Sequence, residues 1–328
     1  MKSHGKDLRG PRNFLCHMHS FIYFAFILFL ISSCNGVSAR NTSSINNKSK
    51  PLVTFVFDDG NETDYTIARD IFSSQGEVAC TSVVTNWVNT KSYLSGSQLA
   101  ELQKDGWEIL SHTESHPNLK TLSGSQVEAE LAKSKSILEN LGLTVKNLVY
   151  PYNKTNETVK KIAAKYYRSG RDGGSMLNPY ISDRYDLKSY SIKHNLSKMK
   201  SYIDNAYSER KWLIFYHHNI DAKIKISDKN GNLILGEDLI FQPSGAKGKY
   251  TSSGIVFSDR AIYFTPLSGI PQANDTITGR TSGATLKLDR VIYNEREDIN
   301  DMIKYIHTNY PEMKIVTIDQ GLDLMEIP

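Results

Sequence analysis

The stretch Thr54-Phe55-Val56-Phe57-Asp58-Asp59-Gly60 joins an apolar run to two adjacent carboxylates. Residues 51–57 are rich in β-branched and aromatic side chains, and they lie between a proline and a glycine, which is typical of a buried strand. Because side chains alternate along a strand, Asp58 and Asp59 are expected to serve different tasks. One carboxylate can bind a cation while the other accepts a proton. The alternative is a surface turn, since Asp-Gly is a common turn pair.

Two histidines follow a second short apolar strand, in Ser111-His112-Thr113-Glu114-Ser115-His116-Pro117. Neutral imidazoles suit zinc or a similar divalent ion. Proline disfavours helical geometry in the residue before it, so the pair is predicted on a loop, unlike the helical zinc-protease motif. Ordinary loop histidines are the alternative. Combined with the aspartate pair, His112 and His116 predict an Asp, His, His site with open positions for water.

These two motifs resemble those of the polysaccharide deacetylases of the NodB-homology type, carbohydrate esterase family 4. Phe57-Asp58-Asp59-Gly60 is similar to the family's T-F-D-D-G motif, with Val56 where Thr or Ser is usual. His112-Thr113-x-x-His116 is similar to its H-[ST]-x-x-H motif. The resemblance extends over about residues 51–220 and resumes near 292–320.

The resemblance implies a metal-dependent deacetylase. It assigns the metal to Asp59, His112 and His116, and the role of general base to Asp58. Zinc suits this ligand set, and Co²⁺ or Ni²⁺ would bind similarly. The substrate implied is an N-acetylated glycan. The sequence leaves open whether N-acetyl groups, O-acetyl esters or a small cyclic amide are cleaved, and whether the protein is instead a degenerate glycan-binding lipoprotein.

The stretch Val149-Tyr150-Pro151-Tyr152 resembles the family's third motif, R-x-P-Y, which forms one wall of the substrate groove. The resemblance therefore implies that Tyr150, Pro151 and Tyr152 bind substrate, while core packing is the alternative for either tyrosine. Val149 stands where the family often has an arginine that pairs with the base. Arg171 is a candidate replacement from elsewhere in the chain.

The last two motifs of the family are matched less closely. For the fourth, which contains Asp and Trp, Asp183 and Asp186 are the candidates. The fifth is an apolar strand that ends in the general-acid histidine, and it is similar to Trp212-Leu213-Ile214-Phe215-Tyr216-His217-His218. Adjacent side chains point in opposite directions along a strand, so we expect one histidine to face the site. We select His218 as the acid, with His217 as the alternative.

Residues 1–33 are predicted to be a signal peptide of the lipoprotein type. A basic leader precedes an apolar core at residues 21–31, which is shorter than the roughly 20 residues that span a bilayer. Leu30-Ile31-Ser32-Ser33-Cys34 looks like a lipobox, which would attach a lipid to Cys34 and place the protein at the membrane. Residues 34–50 then form a flexible tether. Cleavage after Val37-Ser38-Ala39, giving a secreted protein, is the alternative.

Charge and cysteine content indicate which partners and which disulfides are not expected. Without residues 1–33 the chain carries 35 basic and 34 acidic side chains. A balance this near neutrality argues against nucleic acid as a partner. Cys80 is the single cysteine in the body of the protein, so an intrachain disulfide is not expected there.

Strand-like and helix-like segments alternate over residues 51–220 and 291–328, which predicts an α/β fold, a NodB-like distorted (β/α) barrel. Strands are predicted at 52–57, 78–84, 107–111, 146–150, 189–193, 212–216 and 314–318. Helices are predicted near 64–74, 97–105, 125–141, 155–165, 196–207 and 295–309. Residues 221–290 differ, because turn-rich sequence there predicts a small all-β insertion. Within it, Pro243-Ser244-Gly245-Ala246 faintly echoes Thr281-Ser282-Gly283-Ala284.

Overall fold

The computed structural model describes residues 50–180, 182–256 and 259–325, without the side chains of residues 253–259. These residues belong to one compact unit, Ser49–Pro328. The predicted signal peptide, Cys34 and the tether up to residue 49 lie outside the described residues. In the described part of the chain, none of the helices combines the length and the apolar composition that a membrane span requires.

Seven parallel strands form a closed barrel, and the predicted (β/α) barrel is confirmed. The last strand pairs back onto the first along its full length, from Leu52 opposite Trp212 to Phe57 opposite His217. The strands are β1 (Leu52–Phe57), β2 (Cys80–Val83), β3 (Glu108–Ser111), β4 (Asn147–Val149), β5 (Ser169–Gly174), β6 (Leu187–Ser191) and β7 (Trp212–His217).

Helices cover the outside of the barrel between these strands. The first begins with a π-helix, Asp64–Ala68, that continues into α1 (Arg69–Ser74). Both of the next two helices begin with a capping box, in which a serine and a glutamine satisfy each other's backbone N–H groups. The remaining helices are α2 (Gly96–Lys104), α3 (Gly124–Asn140), α4 (Glu157–Ala163), α5 (Leu196–Glu209), α6 (Glu295–Asn309) and α7 (Ile318–Leu324).

Alternation along β1 decides which side chains enter the barrel. Val53, Phe55 and Phe57 pack outward with the helices, whereas Leu52 and Val56 belong to the inner cluster. Helix α7, which the sequence did not predict, closes one end of the barrel with Ile318, Leu322 and the following Met325 in that inner cluster. The inner face of β1 therefore leads directly to Asp58 at the opposite end.

A second, all-β barrel is inserted between β7 and α6. Its strands are β8 (Ala222–Asn230), β9 (Asp238–Gln242), β10 (Lys247–Val256), β11 (Asp259–Ser268), β12 (Thr276–Gly279) and β13 (Thr285–Asn294), and it closes in the order β10-β11-β8-β13-β12-β9. The last strand continues past residue 290, the boundary predicted from the sequence. Ala222 pairs with Asn294, so the insertion leaves and rejoins the main barrel at one point. The chain then returns to β1 through β14 (Lys314–Ile315).

The faint sequence echo marks two structural copies within the inserted barrel. Three strands, β8 to β10, correspond to β11 to β13, and each copy places a carboxylate before its middle strand and a Ser-Gly turn after it. The carboxylates are exchanged between the copies. Glu237 of the first copy accepts from the backbone N–H and hydroxyl of Ser282 in the second. Asp275 of the second accepts from the same groups of Ser244 in the first.

Candidate active site

Asp58 lies at the end of the inner face of β1 and is 3% exposed. Its carboxylate accepts a hydrogen bond from Ser82 Oγ at 3.0 Å, and the guanidinium of Arg171 lies 2.6 Å from both carboxylate oxygens. Burial alone would raise the pKa of Asp58, but the guanidinium and the nearby imidazoles outweigh burial, and the pKa is lowered. Asp58 is thus held as a carboxylate inside the barrel.

Arg171 provides the positive charge beside Asp58 that Val149, in the third motif, does not provide. It lies on β5, in register opposite Val149 of β4, so the guanidinium comes from the adjacent strand at the same level of the barrel. Its other contacts are Asn153 Oδ1, Ser189 Oγ and the face of the Tyr216 ring. Strand β5 was not predicted, because Ser169-Gly170-Arg171-Asp172-Gly173-Gly174 contains no apolar side chain.

Asp59, His112 and His116 converge beside Asp58, and their ligand atoms lie within 4.8 Å of one another. Each histidine Nε2 is 3.6 Å from Asp59 Oδ1. Two ligands bound to one zinc ion at about 2.1 Å with tetrahedral angles stand roughly 3.4 Å apart, so this spacing suits a shared cation. Asp59 reaches the cluster through a left-handed backbone (φ 80°), which turns it away from the face that Asp58 occupies.

The chemistry of these donors fits a metal ion. Asp59 Oδ1 is buried, yet it has no hydrogen-bond partner among the described residues. His112 Nδ1 lies 2.8 Å from the carbonyl oxygen of Val149, to which it donates in the tautomer that leaves Nε2 as a lone-pair donor. Burial lowers the pKa of His112 to about 3, and burial also lowers the pKa of His116 despite the nearby carboxylate of Asp59. Both imidazoles are therefore neutral at neutral pH, as metal ligands must be.

The two histidines after β7 have different surroundings. His218 Nε2 lies 3.9 Å from Asp59 Oδ2, and the side chain is 54% exposed at the mouth of the site. His217 points outward, with its Nε2 3.0 Å from Glu295 Oε2 at the start of α6. Trp212 and Ile214 belong to the inner cluster, so alternation along β7 places His218 on the inner side.

Tyr150 was predicted to bind substrate, with core packing as the alternative, and its surroundings are those of a core residue. Tyr150 is fully buried, its hydroxyl donates to the Tyr185 carbonyl, and its ring packs on Gly170, where a Cβ would lie 2.2 Å from the hydroxyl. Pro151 is also buried. Tyr152 differs from both. Its side chain is 56% exposed, and its ring centroid lies 4.6 Å from that of His116.

Asp183 and Asp186, the candidates for the fourth motif, both form ion pairs with lysines. Asp183 pairs with Lys160 and Asp186 with Lys188. Trp87 was not predicted to lie beside the cluster, yet its ring is 5.4 Å from that of His116. The contacts of Ser82 with Asp58 and of Ser189 with Arg171 were not predicted either, because these serines belong to no motif.

Two comparisons with known sequences report similarity to polysaccharide deacetylases. The family model described as polysaccharide deacetylase matches residues 45–168. A protein of Bacillus subtilis (strain 168) named "Putative polysaccharide deacetylase YxkH" is 30% identical over 118 residues, which cover 36% of this chain and 42% of that protein. The chain thus spans less than half the length of this relative.

Two solved structures are similar over about half of the chain. A polysaccharide deacetylase from Bacillus cereus is 23% identical, with a TM-score of 0.42 over 46% of this chain and 50% of the other. The deacetylase PplD of Streptococcus pyogenes, solved in complex with acetate, is 23% identical, with a TM-score of 0.44 over 48% and 74%.

The parallel barrel, with its cluster at the carboxyl ends of the strands, defines a NodB-like (β/α) barrel protein. The family match over residues 45–168 shows that this part of the chain is similar to the polysaccharide deacetylases.

Proposed function

We propose that the protein is a metal-dependent hydrolase that removes N-acetyl groups from amino sugars of a cell-surface or extracellular polysaccharide. The observation that carries the proposal is that two adjacent carboxylates have different surroundings. Asp59 joins His112 and His116 in a cluster with metal-ligand spacing, whereas Asp58 is held apart from it by Arg171. This arrangement provides both a metal site and a separate proton acceptor beside it.

A metal bound there would polarise the acetyl carbonyl and lower the pKa of a bound water. Asp58 accepts the proton of the attacking water at its carboxylate, whose orientation Arg171 and Ser82 fix. The backbone N–H of Tyr152 is the candidate donor to the developing oxyanion. His218 donates a proton to the departing amine, because the amide bond does not break while nitrogen would leave as an anion.

A degenerate glycan-binding protein is the weaker alternative. The absence of the motif arginine at position 149 was a reason to consider it. Arg171, on the strand beside Val149, directs one nitrogen, Nη2, at both carboxylate oxygens of Asp58, and this charge-assisted contact favours a working base.

The test is acetate release by zinc-loaded protein from chitooligosaccharides and peptidoglycan fragments. O-acetylated xylooligosaccharides serve as the ester comparison. Asp58→Asn should retain its zinc and lose about 100-fold or more in rate, the scale of a lost general base. Absence of acetate release from every substrate by fully loaded wild-type protein would refute the proposed activity.

We further propose that the protein is exported and held at the membrane of a bacterial cell envelope by a lipid on Cys34. The support is the lipobox-like sequence at residues 30–34 followed by a polar tether. Metabolic labelling with a palmitate analogue should mark the wild-type protein and not Cys34→Ala. Equal labelling of both, or release of both into the medium, would contradict this assignment.

A further inference from the structure

A cavity of ≈ 590 Å³ opens into the inserted β-barrel rather than at the metal cluster. Its wall contains Ile226 and Leu286, which belong to the hydrophobic core of this barrel. Exposed side chains of Lys229, Asn232 and Arg260 line its rim. Ligand pockets are typically ≈ 300–1,000 Å³ and are frequent at the mouths of β-barrels. The cavity is therefore of a suitable size and place to hold a small molecule or one unit of a polymer.

The internal duplication gives the inserted barrel a second place equivalent to this cavity, and each of the two places is lined by strands of both copies. At the second place Phe264 stands where the cavity has Ile226, and Gly248 stands where the cavity has Leu286. Phe264 is buried and lies so close to Gly248 that a Cβ there would be 2.3 Å from the ring. At the second place a phenylalanine thus fills the space that the aliphatic pair leaves open in the cavity.

The polar rim is also confined to the cavity and is missing at the second place. There the counterparts of Lys229 and Asn232 are Leu267 and Ile270, and the counterpart of Arg260 is the buried Ala222. Two equivalent places in one barrel have therefore diverged, one into an apolar filled end and the other into an open pocket with two cations and an amide. Packing of the barrel does not require this difference, because the second place is closed without it.

We propose that this pocket binds an acidic sugar unit, carrying a carboxylate or a phosphate or sulfate ester, within the polysaccharide. No acidic side chain is among the described residues that line the cavity, so the rim is suited to an anion. Guanidinium and ammonium groups form charge-assisted hydrogen bonds with such groups. The apolar wall suits the C–H faces of a sugar ring.

The location separates this pocket from the reacting sugar. Strand β8 leaves the main barrel at Ala222, and Lys229 lies roughly 20 Å further along it at about 3.3 Å per residue. The pocket would hold a different part of the same polymer and favour substrates that contain acidic units. That role rests on the proposed function, whereas binding of the acidic sugar itself can be measured without any catalysis.

Calorimetric titration of the full chain tests the proposal with three probes. A tetrasaccharide of alternating glucuronic acid and N-acetylglucosamine carries carboxylates, N-acetylglucosamine 6-phosphate carries an ester, and chitotetraose is neutral. To keep the metal site out of the measurement, the protein is used without metal. We expect one or both anionic probes to bind, with chitotetraose at least about tenfold weaker.

Two variants localise the binding. Lys229→Ala with Arg260→Ala should weaken the anionic probe about tenfold or more, because two charged donors are lost. The matched control, Lys247→Ala with Arg290→Ala, removes two exposed cations of the same barrel outside the pocket and should bind as wild type. Ile226→Phe with Leu286→Gly reproduces the filled arrangement of Phe264 and Gly248 and should abolish binding while the protein remains folded.

The result identifies the anion and can overturn the proposal. Binding of the tetrasaccharide alone indicates a carboxylate, and binding of the phosphate sugar alone indicates an ester. Equal binding of neutral and anionic probes, or wild-type affinity in both pocket variants, would show that the pocket is not an acidic-sugar site. Failure of acetate release with intact, pocket-dependent binding would instead reject the proposed catalysis.

Discussion

The Arg171 guanidinium lies 2.6 Å from both oxygens of the Asp58 carboxylate, and the two side chains are only 1% and 5% exposed. The arginine lies on β5, and its register partner on β4 is Val149. The buried partner of Asp58, the proposed base, therefore comes from β5 at the level of Val149.

Arg171→Met should lower acetate release by about 100-fold or more and the free energy of unfolding by about 3 kcal/mol, since it leaves a buried carboxylate unpaired. Urea unfolding and initial rates measure the two effects. Arg168→Met is the control, because Arg168 pairs with Asp319 and Asp323 outside the site. If Arg171→Met does not fold, Arg171→Lys keeps the charge without the planar guanidinium that also contacts Asn153 and Ser189, and it should still lose rate. Wild-type rates in both Arg171 variants would contradict its role.

Asp59→Ala, His112→Ala and His116→Ala should each lose zinc, because each removes one of three protein ligands. Metal analysis of the purified variants by mass spectrometry measures the occupancy. Glu114→Ala is the control, since Glu114 lies on the same loop but pairs with Lys133. Full occupancy in any of the three ligand variants would rule out that ligand.

His218→Asn should retain zinc and lose about 100-fold in rate, because the leaving amine then lacks its proton donor. His217→Asn should retain most of the rate, because this side chain contacts Glu295 rather than the metal cluster. Rates and metal content of both variants separate the two roles. A larger loss in His217→Asn than in His218→Asn would show that the assignment is reversed.

Replacing residues 222–293 by Gly-Gly should leave a folded barrel that binds zinc and cleaves a short chitooligosaccharide. The reason is geometric, because the backbone N–H of Glu295 donates to the Asp221 carbonyl at 3.1 Å, so the ends of the insertion already meet. Circular dichroism, metal content and acetate release test the deletion. A folded, zinc-loaded deletion protein that does not cleave the short substrate would mean that the insertion helps to form the site.

Asp298→Asn should raise the melting temperature at about pH 7.5, by on the order of 2 °C. Burial, followed by the neighbouring carboxylates of Glu295, Asp301 and Glu297, raises the pKa of Asp298 from 3.8 to about 6. Because the folded state holds the proton more tightly than the unfolded state, protonated Asp298 stabilises the fold below about pH 4. That contribution is lost as the pH rises through about 6.

The melting temperatures of the wild type and Asp298→Asn should therefore converge at about pH 4. Asp70→Asn, an exposed change on helix α1, is the control. A gain that is independent of pH would exclude this mechanism.

The parallel barrel was predictable because strands such as β1 and β7 are apolar along most of their length. Residues 52–57 and 212–217 are continuous apolar runs that end in polar residues, and both became full-length strands. Two His-containing motifs at strand ends then indicated which side chains would meet. The choice between His217 and His218 follows the alternation of buried residues along β7.

Three features were not predictable, and each has a physical reason. Strand β5 is held by its neighbours and by the polar interior of the barrel, so its sequence has no apolar pattern. The segment predicted as a strand at 314–318 forms only two strand residues, because Thr317 caps helix α7 with a capping box. Tyr150 is a core residue because Gly170 leaves room for its ring, a contact between distant positions.

The exchanged carboxylates make the two copies of the inserted barrel depend on each other. Glu237 closes the turn at Ser282, and Asp275 closes the turn at Ser244, so neither copy contains the partner for its own turn. A polypeptide consisting of one copy would leave its carboxylate and its turn unsatisfied until a second molecule supplied both. The two copies therefore complete each other, and neither is a closed unit by itself.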